Sequence, residues 1–130
     1  MNEHLTILRC TNIHKTFVSG KRDGSSLHVL KGIDLEVHDG EIITIVGVSG
    51  SGKSTFLHIL GGLDSPTEGT VYWGEKAIAA FDDNVLALQR ASTIGFVFQF
   101  HHLLPELTAL ENVMIPMMIK GVSQSVAADL

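Results

Sequence analysis

Residues 47–54 read Gly47-Val48-Ser49-Gly50-Ser51-Gly52-Lys53-Ser54 and satisfy the spacing G-x-x-x-x-G-K-S/T in full. These residue types at this spacing point to one chemistry. A phosphate chain needs several backbone N–H donors turned inward together, and glycine reaches the required angles at least cost. A helix starting directly afterwards adds its free N-terminal N–H groups and the positive end of its dipole. Lys53 then acts as a point charge on the terminal phosphates, and the Ser54 hydroxyl suits Mg²⁺, which keeps most of its waters and phosphate ligands. The expected ligands are ATP and Mg²⁺. A flexible Gly/Ser loop that matches by chance is the plain alternative, and the flanking elements argue against it. A dinucleotide-binding turn, G-x-G-x-x-G, fails because Gly50 and Gly52 are followed by Thr55 where the third glycine should stand.

The elements that must position this loop are legible on both sides of it. Ile42-Ile43-Thr44-Ile45-Val46 is apolar apart from Thr44 and predicts a buried central strand of a parallel sheet. Lys53 to Leu60 predicts a helix, ended by Gly61-Gly62. Upstream, Leu5, Ile7 and Cys10 suggest a first strand, and Lys21 to Ser26 an exposed loop. Ile33, Leu35 and Val37 alternate with Asp34, Glu36 and His38, which predicts a half-buried strand, and Asp39-Gly40 a hairpin turn.

Downstream, Ser65 to Gly69 reads as a turn, Thr70 to Trp73 as a short strand and Asp82 to Ala91 as a helix. Ile94-Gly95-Phe96-Val97-Phe98 predicts a second buried strand, ending at Gln99. Thr108-Ala109-Leu110-Glu111 is a capping box that starts a helix, which Pro116 should kink or break. Ser123 opens a further helix. Met114, Met117 and Met118 with Ile115 and Ile119 read as core rather than as a sticky surface. Tyr72 and Trp73 read as strand packing. His101-His102 lacks a third ligand for a metal.

Composition narrows the class. The chain has 130 residues, 45% of them apolar, with 14 acidic and 9 basic residues and a net charge of -5. That balance gives no support for nonspecific nucleic-acid binding. The single cysteine, Cys10, excludes an intrachain disulfide and reads as a small buried apolar residue. Met1-Asn2-Glu3-His4 lacks the basic start of a signal peptide, and no apolar run reaches the ~20 residues that span a bilayer. Any membrane role would therefore come through a partner.

With these motifs in hand, the chain resembles the ATP-binding subunits of ABC transporters over nearly its whole length. Gly47 to Thr55 is similar to that family's phosphate loop, and Gln99 stands where the family has its Q-loop. More narrowly, His58-Ile59-Leu60-Gly61-Gly62-Leu63-Asp64 and the block from Gln99 to Val113 resemble the ATPases of lipoprotein release. The resemblance implies roles residue by residue. Gln99 would touch Mg²⁺ or the attacking water, Phe17 would stack on the adenine, and Thr55 would add a hydroxyl to the phosphates. Phe17 keeps the stacking face but lacks the hydroxyl of the tyrosine often found there; its alternative is an ordinary core aromatic.

The site implied is thus Phe17 and Gly47, Val48, Ser49, Gly50, Ser51, Gly52, Lys53, Ser54 and Thr55 for the nucleotide, Lys53 and Gln99 for catalysis, and Ser54 and Gln99 for Mg²⁺. The implied fold is an α/β P-loop nucleotide-binding domain with an antiparallel β layer. Residues 1–98 would form that layer and the P-loop core, and residues 99–130 the Q-loop and the start of a helical subdomain. The implied partners are integral membrane permease subunits and a second ATPase subunit, at the cytoplasmic face of the inner membrane, with lipoprotein cargo handled by the membrane partner.

Departures from the family pattern matter as much. The signature Leu-Ser-Gly-Gly-Gln is absent, no apolar run ends in Asp-Glu, and no switch histidine follows. The expectation is the front part of an ATPase that binds ATP without efficient turnover. Macrolide-exporter and cell-division ATPases are near alternatives. A P-loop small-molecule kinase would need lid arginines, and Arg90 is the only arginine after Ser54.

Overall fold

A computed structural model describes residues 5–19 and 25–128. Met1 to His4 and most of the expected Lys21–Ser26 loop lie outside the described residues. The chain divides into two compact units, Met1–Asp82 and Asp83–Leu130.

Among the described residues, the first unit is an antiparallel sheet with one α-helix and a short 3-10 turn at Ile78–Ala80. Strands β1 (Thr6–Val18) and β2 (Ser26–His38) are each 13 residues long, and they are followed by β3 (Glu68–Trp73) and β4 (Lys76–Ala77), in the order β2-β1-β3-β4. Apolar alternation sets the buried face of β2: Ile33, Leu35 and Val37 are half-buried while Asp34 and Glu36 are exposed. Helix α1 (Lys53–Leu60) buries Phe56, Ile59 and Leu60, the i, i+3, i+4 stripe of an amphipathic helix. Cys10, Ile13, Leu30, Val71, Trp73 and Ile78 are also buried in this unit. The Trp73 indole N–H donates to the Leu60 carbonyl at 2.9 Å, which satisfies a buried donor and ties the end of α1 to β3. Burial pushes the Cys10 thiol pKa up, as for a small core residue.

A bulge shapes the sheet beside this core. The β1–β2 register shifts between Cys10 and Ile13, where Asn12 takes the left-handed region at φ 51 and its N–H donates to Asp34 Oδ1 at 2.8 Å. Gly69 lies against the bulge at φ +95, so close that a Cβ there would stand 2.3 Å from the Asn12 carbonyl oxygen.

Two expectations need correction. Neither Ile42–Val46 nor Ile94–Phe98 joins a sheet among the described residues. Ile42 is 93% and Val46 84% exposed, and Val97 is fully exposed. An apolar run becomes a central strand only when ladder partners flank it and helices cover it, and the described residues supply neither. Asp39-Gly40 does form a turn, with Gly40 at φ 75, but it leads into this unpaired segment rather than closing a hairpin.

The second unit is helical: α2 (Asp83–Thr93), α3 (Ala109–Ile119) and α4 (Gln124–Ala128). The capping box forms as expected. Thr108 Oγ1 accepts from the Glu111 N–H at 3.2 Å, and Glu111 Oε2 accepts from the Thr108 N–H at 2.8 Å. The Thr108 hydroxyl and amide hold the Glu111 carboxyl pKa below the usual carboxylate range. Pro116 does not break the helix, which runs on to Ile119. Proline removes one i→i−4 bond, and the turn is closed beyond it by Gly121 N–H to Met118 O and Val122 N–H to Met117 O. The apolar cluster is only partly core: Met114 is buried, whereas Met118 and Ile119 are exposed.

Two stability measurements follow from these contacts. Gly69→Ala should lower the urea-unfolding free energy by about 2 kcal/mol or more, since it meets both a positive φ and a backbone oxygen. Gly74→Ala, at φ +57 in open space, should cost only about 1 kcal/mol. Thr108→Ala should cost about 1 kcal/mol at neutral pH. Because the Glu111 pKa is lowered on folding, its stabilisation is present above the ordinary carboxylate range and is lost as pH falls through the folded value. The deficit of Thr108→Ala should therefore shrink in acid.

Candidate functional site

The glycine-rich loop is built around the start of α1. Gly50 and Gly52 sit in the left-handed region at φ 76 and φ 95. Gly52 is the residue before the first helical turn, and no side chain caps that turn. The first N–H groups of any α-helix lack intrahelical partners, so those of Lys53, Ser54 and Thr55 are available to an anion. Phe56 N–H closes the first helical bond, to Gly52 O at 2.8 Å.

The glycines are required by space as well as by angle. A Cβ on Gly52 would stand 2.7 Å from Val29 Cγ1 and 2.9 Å from Leu30 Cδ2, so the helix start is seated directly on β2. A Cβ on Gly47 would stand 2.6 Å from Ser51 Oγ, inside the loop. Ser51 N–H donates to Val48 O at 3.2 Å and tightens the turn. Lys53 Nζ reaches across it and donates to the Gly47 and Val48 carbonyls, each at 2.8 Å. The loop therefore gathers a cation, free N–H donors and the exposed Ser54 side chain around one concavity. That donor set fits a polyphosphate, and the Ser54 hydroxyl oxygen fits a hard cation such as Mg²⁺.

Phe17, the next-to-last residue of β1, lies opposite Leu27 and is 44% exposed, so it is not an ordinary core aromatic. It lines a shallow cleft of about 270 Å³ with Val18, Ser19, Ser25, Ser26 and Leu27. Gln99 belongs to the second unit, in an exposed bend between Phe98 and Phe100. The first unit thus carries Phe17 and Gly47 to Thr55, and Gln99 stands outside it.

Four residues escaped sequence reasoning. Val29 and Leu30 make the seat that demands glycine at position 52. Lys15 bridges β1 to Asp64 and Ser65, at 2.7 Å to each. Asn112 pins the loop after Gln99: its two amide N–H groups are shared among the carbonyls of Leu104, Leu107 and Thr108, and its oxygen accepts from the Leu104 N–H at 2.8 Å. Lys15 lies beside Phe17 in sequence, a weak signal. Its acidic partner is distant in the chain.

Comparison with known proteins agrees with this geometry. Residues 30–130 match the ABC transporter family. Over 121 residues the chain is 49% identical to the lipoprotein-releasing system ATP-binding protein LolD of Saccharophagus degradans, covering 93% of this chain and 52% of that protein. It is 52% identical over 123 residues to the LolD of Geobacter metallireducens, covering 95% and 53% respectively. The chain spans about half the length of the curated relatives it matches. Among solved structures, a dimeric post-hydrolysis ATP-binding cassette bound to ADP and Pi superposes with a TM-score of 0.85 at 41% identity, covering 94% of this chain and 53% of that one. With a glycine-rich loop leading into α1 and a family match over most of its residues, the chain belongs to the ABC transporter family.

Proposed function

We propose that this chain binds ATP with Mg²⁺ at Gly47 to Thr55 and that, in the whole protein, it powers a transporter that releases lipoproteins from the inner membrane. The observation that carries the reading is the cradle itself: Gly52 at φ 95 seated on β2, with Lys53 spanning the loop. Lys53 neutralises the terminal phosphates, and the N–H groups at the start of α1 orient them. Phe17 offers a ring face to the adenine, the Ser54 hydroxyl would hold Mg²⁺, and the family resemblance alone assigns Gln99 as a further ligand. When bound, Mg²⁺ supplies charge neutralisation at the β- and γ-phosphates. Gln99 also orients water near the γ-phosphate. Functionally, residues 1–98 provide the β layer and phosphate core, and residues 99–130 provide the Q-loop and the beginning of a helical subdomain.

The partners proposed are membrane permease subunits and a second ATPase subunit, at the cytoplasmic face of the membrane. Similarity to LolD proteins and to a dimeric cassette supports them. No helix among the described residues is long and apolar enough to cross a membrane, so a peripheral position is consistent with the fold. The segment from Phe100 to Ile119 is the proposed contact with the permease. Phe100 is 73% and Leu103 62% exposed, in a loop that follows Gln99 and is held in shape by Asn112. Apolar side chains clustered on an ordered loop are commonly covered by a partner.

Three experiments test this. Lys53→Ala should weaken MgATP binding to this chain by about 2 kcal/mol in calorimetry, the size of a charge-assisted contact. Unchanged affinity would remove the basis of the reading. The same chain should release no phosphate steadily from ATP, because no apolar run ending in Asp-Glu supplies the carboxylates of a hydrolytic site. Steady turnover lost in Lys53→Ala would show that it hydrolyses unaided. In the assembled transporter, Leu103→Asp should abolish co-purification with the membrane subunits while basal ATPase activity stays near normal, since a buried unpaired carboxylate costs several kcal/mol. Retained association would place the interface elsewhere.

A further inference from the structure

Lys15 precedes Phe17 by two residues on β1, and its ammonium group is held from three directions. It donates to Asp64 Oδ1 at 2.7 Å and to the Ser65 carbonyl at 2.7 Å. On its third side it lies over the Phe17 ring, 5.1 Å from the centroid. The Lys15 side chain is 13% exposed and that of Asp64 37%. A partly desolvated pair of this kind, tied down by further bonds, is more directional than a fully exposed ion pair.

The acceptors are anchored in their turn. Asp64 Oδ1 also accepts from the Ser65 N–H at 2.7 Å, so the carboxylate cannot swing away from Lys15 without losing two bonds. The turn itself hangs from the end of α1: the N–H groups of Leu63 and Asp64 both donate to His58 O, at 2.8 and 3.3 Å. Two further bonds stitch the turn to β1, Thr67 N–H to His14 O at 2.8 Å and Thr16 N–H to Thr67 Oγ1 at 2.9 Å. A path of hydrogen bonds therefore runs from the end of α1 to the Lys15 ammonium, and the cation–ring contact carries it on to Phe17.

The geometry points to Lys15 and Asp64 as positioning residues for the base of a bound nucleotide. The pair fixes the Phe17 ring relative to α1, so the stacking surface and the phosphate cradle are held at a set separation. The ammonium occupies one face of the ring and leaves the other for a purine. A cation on one ring face also withdraws electron density from the opposite face, which favours an electron-rich heterocycle there. The consequence is selectivity: the pair should matter for ligands that carry a base and be irrelevant to bare polyphosphate. This inference rests on the assignment of Phe17 to the adenine made above.

The test compares MgATP with magnesium tripolyphosphate by calorimetry on this chain, which separates the base contribution from the phosphate contribution. Lys15→Met keeps the aliphatic stem and removes the charge, and Asp64→Asn keeps the shape of its partner. Each should weaken ATP by roughly fivefold, the scale of a partly desolvated cation–ring contact, and leave tripolyphosphate unchanged. Phe17→Ala should show the same selective loss, and Lys15→Met should add nothing to it. If Phe17→Ala leaves ATP binding intact, the base assignment fails and the inference fails with it. If Phe17→Ala is selective while Lys15→Met and Asp64→Asn are silent, the base assignment stands and only the positioning role is overturned. If both ligands weaken together, the pair is a general strut of the fold, which also overturns it. Should Lys15→Met fail to fold, the ATP-to-tripolyphosphate ratio of Asp64→Asn decides alone.

Discussion

The close approach of Gly52 to β2 is the constraint on which the site depends. A helix presents free N–H groups to an anion only if its first turn is left uncapped, and uncapped turns are ordinarily unfavourable. Here the first turn is held by packing instead. Gly52 lies against Val29 and Leu30 with no room for a Cβ, and its φ of +95 turns the loop back over the start of α1. Phe56, Ile59 and Leu60 are then buried along the helix that follows. The energy that keeps three donors unsatisfied comes from apolar burial several residues away.

The antiparallel sheet is the platform for that contact, and its irregularities serve it. The bulge at Asn12 and the glycine at position 69 let β1 and β3 approach closely beside buried Cys10 and Val71. Trp73 then fastens the far end of α1 through its indole N–H. The helix is thus fixed at one end by β2 and at the other by β3. A phosphate cradle that must not reorganise on binding gains from such preorganisation.

The second unit follows a different logic. Few of its apolar side chains are buried, and its order comes from local polar bonds: the reciprocal Thr108–Glu111 box and the four contacts of Asn112. These bonds shape the segment from Leu104 to the start of α3 without a core beneath it. Exposed Phe100, Leu103 and Leu104 are therefore displayed on an ordered scaffold.

Local rules were enough to read the glycine-rich turn before α1, the extent of α1, the alternation of β2 and the capping box. Each is set within a few residues: glycine spacing, a period of two, a Thr and a Glu three apart. The same rules misread Ile42–Val46 and Ile94–Phe98, because an apolar run specifies only a demand for burial and not the strands and helices that would meet it. Of the two outcomes expected at Pro116, a kink or a break, the break does not occur, since a helix can absorb a single lost bond. Tertiary structure alone decided why position 52 has no room for a side chain, since Val29 and Leu30 arrive from another strand. It alone joined Lys15 to Asp64, 49 residues away in the chain. Charge pairing across such a distance leaves no periodic trace in a sequence, because its register is fixed only once β1 and the turn after α1 have been brought together.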